Sequence, residues 1–210
     1  MSAQHPSDVL REYIESTTSP SLEAALEDAA EFGLPTPDAA TGTLLSSLAA
    51  LTKASGAIAV TPTASVIGLY MLAGMAEGGI LTCIDPEADH QKRAKATFRD
   101  AGYSPSRVRF LPSRPLDVMG RLAHGSYNLV YGEIAPLDLK AFVDAALPLL
   151  APGGAIVLAD ALLDGTLADE TRKDRDTVAA READQYFQTL EGVHVSRLPI
   201  GAGTTLIVKP

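Results

Sequence analysis

Ala57-Ile58-Ala59-Val60-Thr61-Pro62-Thr63-Ala64-Ser65-Val66-Ile67 lies inside a stretch, residues 54–76, that carries no charged side chain. That length is roughly what a membrane span needs. Ser55, Thr61, Pro62, Thr63 and Ser65 interrupt its middle, however, so it reads as a buried strand, a polar turn and a buried helix. A continuously apolar strand is one covered on both faces, as in a parallel sheet flanked by helices. This stretch therefore makes the chain α/β and not a membrane protein. Residues 1–21 are polar, with Pro6 and Pro20 and no apolar run like that of a leader, so a cytoplasmic location is expected.

The same alternation continues outward. Short β-rich runs fall at 57–60, 80–84, 108–111, 129–131, 155–159, 193–198 and 204–208. Helical stretches fall between them at 65–77, 88–101, 116–123, 137–150 and 170–190. Each of the first five strands leads into a helix, which predicts βα units with right-handed crossovers. Leu198-Pro199-Ile200-Gly201-Ala202-Gly203 leaves no room for a helix between the last two strands. It reads as a hairpin, so the sheet is expected to be mostly parallel and seven-stranded, with an antiparallel last strand. Residues 8–16, 22–32 and 41–54 read as helices ahead of the first strand, interrupted by Pro35 and Pro37. The expectation is one domain over 1–210 with a helical preface at about 1–54.

Composition narrows the function. The 210 residues are 46% hydrophobic and carry a net charge of -9, which excludes general disorder and argues against a phosphate-binding nucleic-acid surface. Cys83 is the only cysteine, so neither an intrachain disulfide nor a cysteine zinc site can form.

In an open α/β sheet, ligands bind beyond the carboxyl ends of the strands near the switch in strand order. After the first strand, Thr61 to Ser65 lacks the glycines through which backbone approaches a nucleoside; Gly68 already lies in the helix. Its hydroxyls and the free N–H groups of a helix N-terminus suit a carboxylate or a water shell, the alternative being that Ser65 simply caps the helix. Asp85 ends the second strand in Thr82-Cys83-Ile84-Asp85-Pro86. There a carboxylate matches both hydroxyls of a ribose, although capping the helix beyond Pro86 is its other reading. Pro112-Ser113-Arg114-Pro115 follows the third strand, while Glu133 and Asp160 follow the fourth and fifth. Two such carboxylates can hold a hard cation or share a proton during catalysis, or act only as loop acids and dipole partners. His5, His90, His124 and His194 lack the spacing of a metal site and read as exposed or structural; Cys83 reads as an inert core thiol. The mixed charges of 169–176 read as a solvated helix start with i,i+4 pairs.

These residues resemble the class I S-adenosylmethionine-dependent methyltransferases, specifically the small O-methyltransferases of the catechol and caffeoyl-CoA type. The resemblance runs from about Leu34 to the end of the chain. Its marks are Leu34-Pro35-Thr36-Pro37 with Gly42, Leu44 and Leu45; Thr82-Cys83-Ile84-Asp85; and Asn128-Leu129-Val130-Tyr131. Leu149-Leu150-Ala151-Pro152-Gly153-Gly154-Ala155-Ile156-Val157 and the closing hairpin complete the set. It implies a Rossmann-like fold, S-adenosylmethionine as cofactor, methyl transfer to a small hydroxylated acceptor, and a homodimer. Asp85 would anchor the ribose, and Thr61, Thr63 and Ser65 would line the methionine end with Gly42 nearby. Ser113 and Arg114 fall by the adenine. Glu133 borders cofactor and acceptor, and Glu133 with Asp160 would act as general base or partial cation site.

The departures from the family are local. Its glycine turn is gone, and Ala59 stands where an acid is usual. Pro115 has no N–H to offer an adenine, and Pro136 replaces a common lysine. The family's magnesium is held by two aspartates and an asparagine; here Glu133, Ala159-Asp160 and Ala161 leave that set short, so no divalent metal is expected. The rival reading is a catalytically degenerate member that keeps the fold as a binding or interaction module.

Overall fold

The structure is a computed structural model and describes Val9, Tyr13, Ile14 and residues 19–210. Most of the helix expected over 8–16 lies outside the described residues. Ser19 caps α1 (Pro20–Glu31), its side chain accepting the Leu22 amide, while Pro20 starts the helix where a missing N–H is harmless. Asp38 caps α2 (Ala39–Leu51) by accepting the Thr41 amide at 2.6 Å. The repeating part follows as β1 (Gly56–Val60), α3 (Ala64–Gly74), β2 (Ile80–Ile84), α4 (Ala88–Asp100), β3 (Val108–Leu111) and α5 (Pro115–Val118). Then come β4 (Tyr127–Glu133), α6 (Leu139–Ala146), β5 (Leu150–Ala159), α7 (Arg175–Phe187), β6 (His194–Leu198) and β7 (Thr204–Val208).

The seven strands lie in the order β3-β2-β1-β4-β5-β7-β6. Only β7 runs against its neighbours, β5 and β6, as the short hairpin requires. The order reverses between β1 and β4, so a crevice opens beyond Val60 and Glu133. Side chains alternate along each inner strand. Ala57 and Ala59 of β1, with Leu129 and Tyr131 of β4, face the layer of α1 to α4; Ile58, Val60 and Val130 face the layer of α5 to α7. No helix among the described residues is long and apolar enough to cross a membrane.

Several boundaries differ from those read in the sequence. The helix expected from 170 starts only at Arg175, because Asp174 caps it and Asp169 turns the chain by accepting from both the amide and hydroxyl of Thr171. The ion pair in that run, Arg172 with Asp174, spans two residues instead of four. The fifth strand begins five residues early, since Gly153 and Gly154 keep exchanging backbone bonds with Lys209. The helix expected over 137–150 shrinks to α6, flanked by 3-10 turns that contain Pro136 and Pro148.

Glycine decides how closely α2 and α3 approach. A Cβ on Gly74 would stand 2.0 Å from the Ser46 carbonyl oxygen, and one on Gly42 would stand 2.3 Å from the Tyr70 ring. Gly74→Ala should therefore force the two helices apart and cost ~1–3 kcal/mol, read as a lowered midpoint in thermal unfolding followed by circular dichroism. An unchanged midpoint would show that the helix pair yields freely.

Candidate active site

In the turn after β1, threonines stand where glycines would let a ligand approach. Thr63 donates its amide to the Thr61 hydroxyl oxygen at 3.0 Å, and the two hydroxyls lie 3.1 Å apart. Thr61 in turn donates to Glu133 Oε2 at 2.9 Å. A turn without glycine has thus been closed by its own side chains, and both threonines are buried. Thr63, not Ser65, is the N-cap of α3, and it makes no side-chain capping bond. Ser65 sits one residue inside the helix, only 4% exposed, and its hydroxyl has no partner among the described residues. The Ala64 and Ser65 amides are similarly unpaired. An unpartnered hydroxyl and two free N–H groups at a helix N-terminus make a receptor for an anion.

Glu133 ends β4 and is the centre of the site. Tyr131, two residues earlier and so on the same face of the strand, donates its phenol to Glu133 Oε1 at 2.7 Å. Burial pushes the Glu133 carboxyl above its ordinary range; the bonds from Tyr131 and Thr61 pull it back, and the charge of Asp160 adds to the rise. The Tyr131 phenol is itself pushed well up, first by burial and then by the negative charge of Glu133. Glu133 borders two cavities. One, of about 400 Å³, is lined by Arg114, Pro115, Leu116 and Phe142. The other, of about 640 Å³, runs past Asp38, Thr41, Tyr131, Asp160 and Asp164.

Asp160 has left-handed backbone, with φ 54°, and its Oδ1 accepts the Ala202 amide at 2.8 Å. Asp38 accepts the neighbouring Gly201 amide at 2.8 Å through Oδ2, while its Oδ1 caps α2. Two carboxylates therefore pin the tip of the β6–β7 hairpin against the cavity. The family's magnesium does not fit this donor set. Both Glu133 oxygens already accept from hydroxyls, one Asp160 oxygen is taken by the Ala202 amide, and the Ala161 side chain has no ligating atom. Among the described residues no three His, Cys, Asp or Glu side chains are grouped to hold an ion.

Asp85 stands at the tip of β2 as expected, nearly buried. Its Oδ1 accepts the Glu87 amide at 3.0 Å, a turn that prepares α4, and its Oδ2 lies 2.6 Å from Nδ1 of His90. The structural reading of His90 thus takes a specific form, a partner for Asp85. Ser113 folds back on Leu111 through its amide, and Arg114 is exposed at the mouth of the smaller cavity. Gly42 is buried against Tyr70. Cys83 is a buried core thiol whose pKa burial pushes up. Tyr131, Asp38 and Thr41 were missed in the sequence. Only Tyr131 was readable there, from its i,i+2 relation to Glu133.

This sheet order, with an acid at the tip of β2 and an acid–phenol pair at the tip of β4, defines a Rossmann-like methyltransferase fold. The sequence profile of the O-methyltransferase family matches residues 15–210. A Mycolicibacterium vanbaalenii relative, provisionally named an O-methyltransferase, is 42% identical over 87% of this chain and 80% of its own length. The chain belongs to the O-methyltransferase family and is an enzyme of that class. A Corynebacterium glutamicum protein of known crystal structure is 62% identical, with a TM-score of 0.94 over 98% of this chain and 97% of that one. The O-methyltransferase of Bacillus cereus, crystallised with S-adenosylhomocysteine, shares the fold at a TM-score of 0.85 and 18% identity, covering 96% of this chain and 97% of its own.

Proposed function

We propose that this chain moves a methyl group from S-adenosylmethionine to a hydroxyl of a small acceptor, with Glu133 as the general base and no divalent metal. The observation that carries this is the half-buried Glu133 carboxyl, held by Tyr131 and Thr61 between two cavities at the strand tips. The donor set suits the cofactor. Asp85 offers acceptor oxygens to a ribose diol, and the unpaired Ser65 hydroxyl with the free amides at the start of α3 suits the methionine carboxylate. Thr61 and Thr63 then form the wall of the methionine end, and Ser113 and Arg114 border the adenine side. Gly42 contributes indirectly, by seating α2 against α3.

When bound, the cofactor supplies a methyl carbon already activated by its sulfonium. The chain's work is alignment, exclusion of water and removal of one proton. Glu133 accepts the acceptor's hydroxyl proton, and its raised pKa brings it nearer to neutrality, where a general base acts best. Tyr131 and Thr61 hold both of its oxygens in one orientation. The net charge of -9 supports a small-molecule partner in preference to nucleic acid. A cytoplasmic homodimer, built as one domain over 1–210, completes the reading.

A second reading, a non-catalytic binding module, is favoured by one observation: threonine side chains fill the turn that glycines leave open elsewhere in the family. Calorimetric titration with S-adenosylhomocysteine separates the two. Binding is expected, and methyl transfer should persist in excess chelator. No binding at millimolar ligand would leave the second reading, and activity that collapses on chelation would overturn the metal-free mechanism.

A further inference from the structure

Among the described residues, the larger cavity beside Glu133 is lined by four carboxylates, those of Asp38, Glu133, Asp160 and Asp164, and by no lysine, arginine or histidine. None of the four is in an ion pair among the described residues. The partners they do have are neutral. Asp38 takes two backbone amides, Asp160 takes one, and Glu133 takes two hydroxyls, so none of them is paired with a cation among the described residues. Arg197 lines a neighbouring groove shared with Asp164, but its guanidinium is committed to Asp184 through two 2.7 Å bonds.

A second, independent feature lies in the same wall. Thr41 is only 3% exposed, lines the cavity, and its hydroxyl has no hydrogen-bond partner among the described residues. The small exposed area of this residue leaves its hydroxyl open to the cavity, free to bond a ligand there. Thr41 Oγ1 and Asp160 Oδ1 flank one spot beside Gly201, 3.9 Å and 2.8 Å from where a Cβ of that glycine would be. Asp160 Oδ2 and the Asp164 carboxylate carry no bond either, so the wall presents several open acceptors and negative charge. Ile134, Leu139 and Leu163 supply an apolar side to the same space.

We infer that the acceptor methylated here carries a cationic, hydrogen-donating group such as a protonated amine. This group is seated between Thr41, Asp160 and Asp164, with the apolar body of the acceptor along Leu139 and its hydroxyl at Glu133. The inference rests on the methyl-transfer reading for the role of the cavity, and it deepens that reading by assigning the charge of the substrate. An anionic acceptor would meet a wall of carboxylates with no cation beside them among the described residues and be rejected.

Three phenols that differ only in the charge of the tail test this: tyramine, tyrosol and 4-hydroxyphenylacetate. Their dissociation constants would be measured by ligand-observed NMR on the whole chain, with S-adenosylhomocysteine titrated into the same samples by calorimetry. Tyramine is expected to bind about tenfold or more tightly than tyrosol, with the anion weakest, a preference that shrinks as salt is raised. Asp164→Asn, at an exposed position, and Thr41→Val should each weaken tyramine several-fold and leave tyrosol unchanged. Equal binding of the three, preference for the anion, no binding of any, or a tyramine affinity indifferent to both substitutions would each overturn the inference. Failure of S-adenosylhomocysteine to bind, whatever the phenols do, would instead remove the methyl-transfer reading beneath it.

Discussion

Glu133→Gln is expected to slow methyl transfer by ~10²–10⁴-fold while leaving the protein at least as stable as before. Glutamine keeps the shape, can still accept from Tyr131, and can donate an N–H to the Thr61 oxygen, which then turns its own proton to Thr63. What it cannot do is take a proton. The pH profile carries the same information. The carboxyl is raised by burial, so turnover in the native protein should climb with pH through a limb above the usual glutamate value of about 4.3. The glutamine variant should lose that limb.

Stability moves the other way. A carboxyl whose pKa is raised on folding stabilises the folded state below its unfolded pKa, and this contribution is lost as pH rises through the folded value. The variant has no charge to bury, so at pH 8 its melting temperature should match or exceed that of the native protein. Turnover unchanged in Glu133→Gln would remove Glu133 as the base. A collapse in melting temperature would mean that the carboxylate serves packing instead.

Asp85→Ala should weaken S-adenosylhomocysteine by ~10–100-fold, about 1–3 kcal/mol, as expected when a charged acceptor for a ribose diol is removed. The side chain also holds the Glu87 amide and faces His90, so part of any loss could come from a loosened turn before α4. Asp85→Asn separates the two contributions. It retains an oxygen for the Glu87 amide but presents only one acceptor, so its affinity should fall between native and alanine. A dissociation constant in Asp85→Ala equal to that of the native protein would assign the carboxylate wholly to the turn, the alternative already visible in the aspartate-proline pair that ends β2.

The outer course of the fold was legible because the signals are local. Apolar strands without alternation, βα repeats and the tight Pro199–Gly203 link each depend on residues close in sequence, and backbone geometry leaves them few alternatives. Boundaries slipped where capping competed with helical propensity, as at Asp169 and Asp174, or where long-range pairing extended a strand, as at Gly153 with Lys209. Within the site, the acids at strand ends could be found from the sequence because fold position alone marks them.

By itself the sequence determined the α/β layering, the antiparallel closing strand and the presence of Asp85, Glu133 and Asp160 at strand tips, since each follows from short-range pattern. Only the tertiary structure decided what those acids do. Asp38 meets Gly201 across 163 residues, Thr61 reaches Glu133 across 72, and His90 turns onto Asp85. Such partners are chosen by packing in three dimensions, where hydrogen bonding fixes the orientation of each carboxyl. No spacing along the chain encodes that choice.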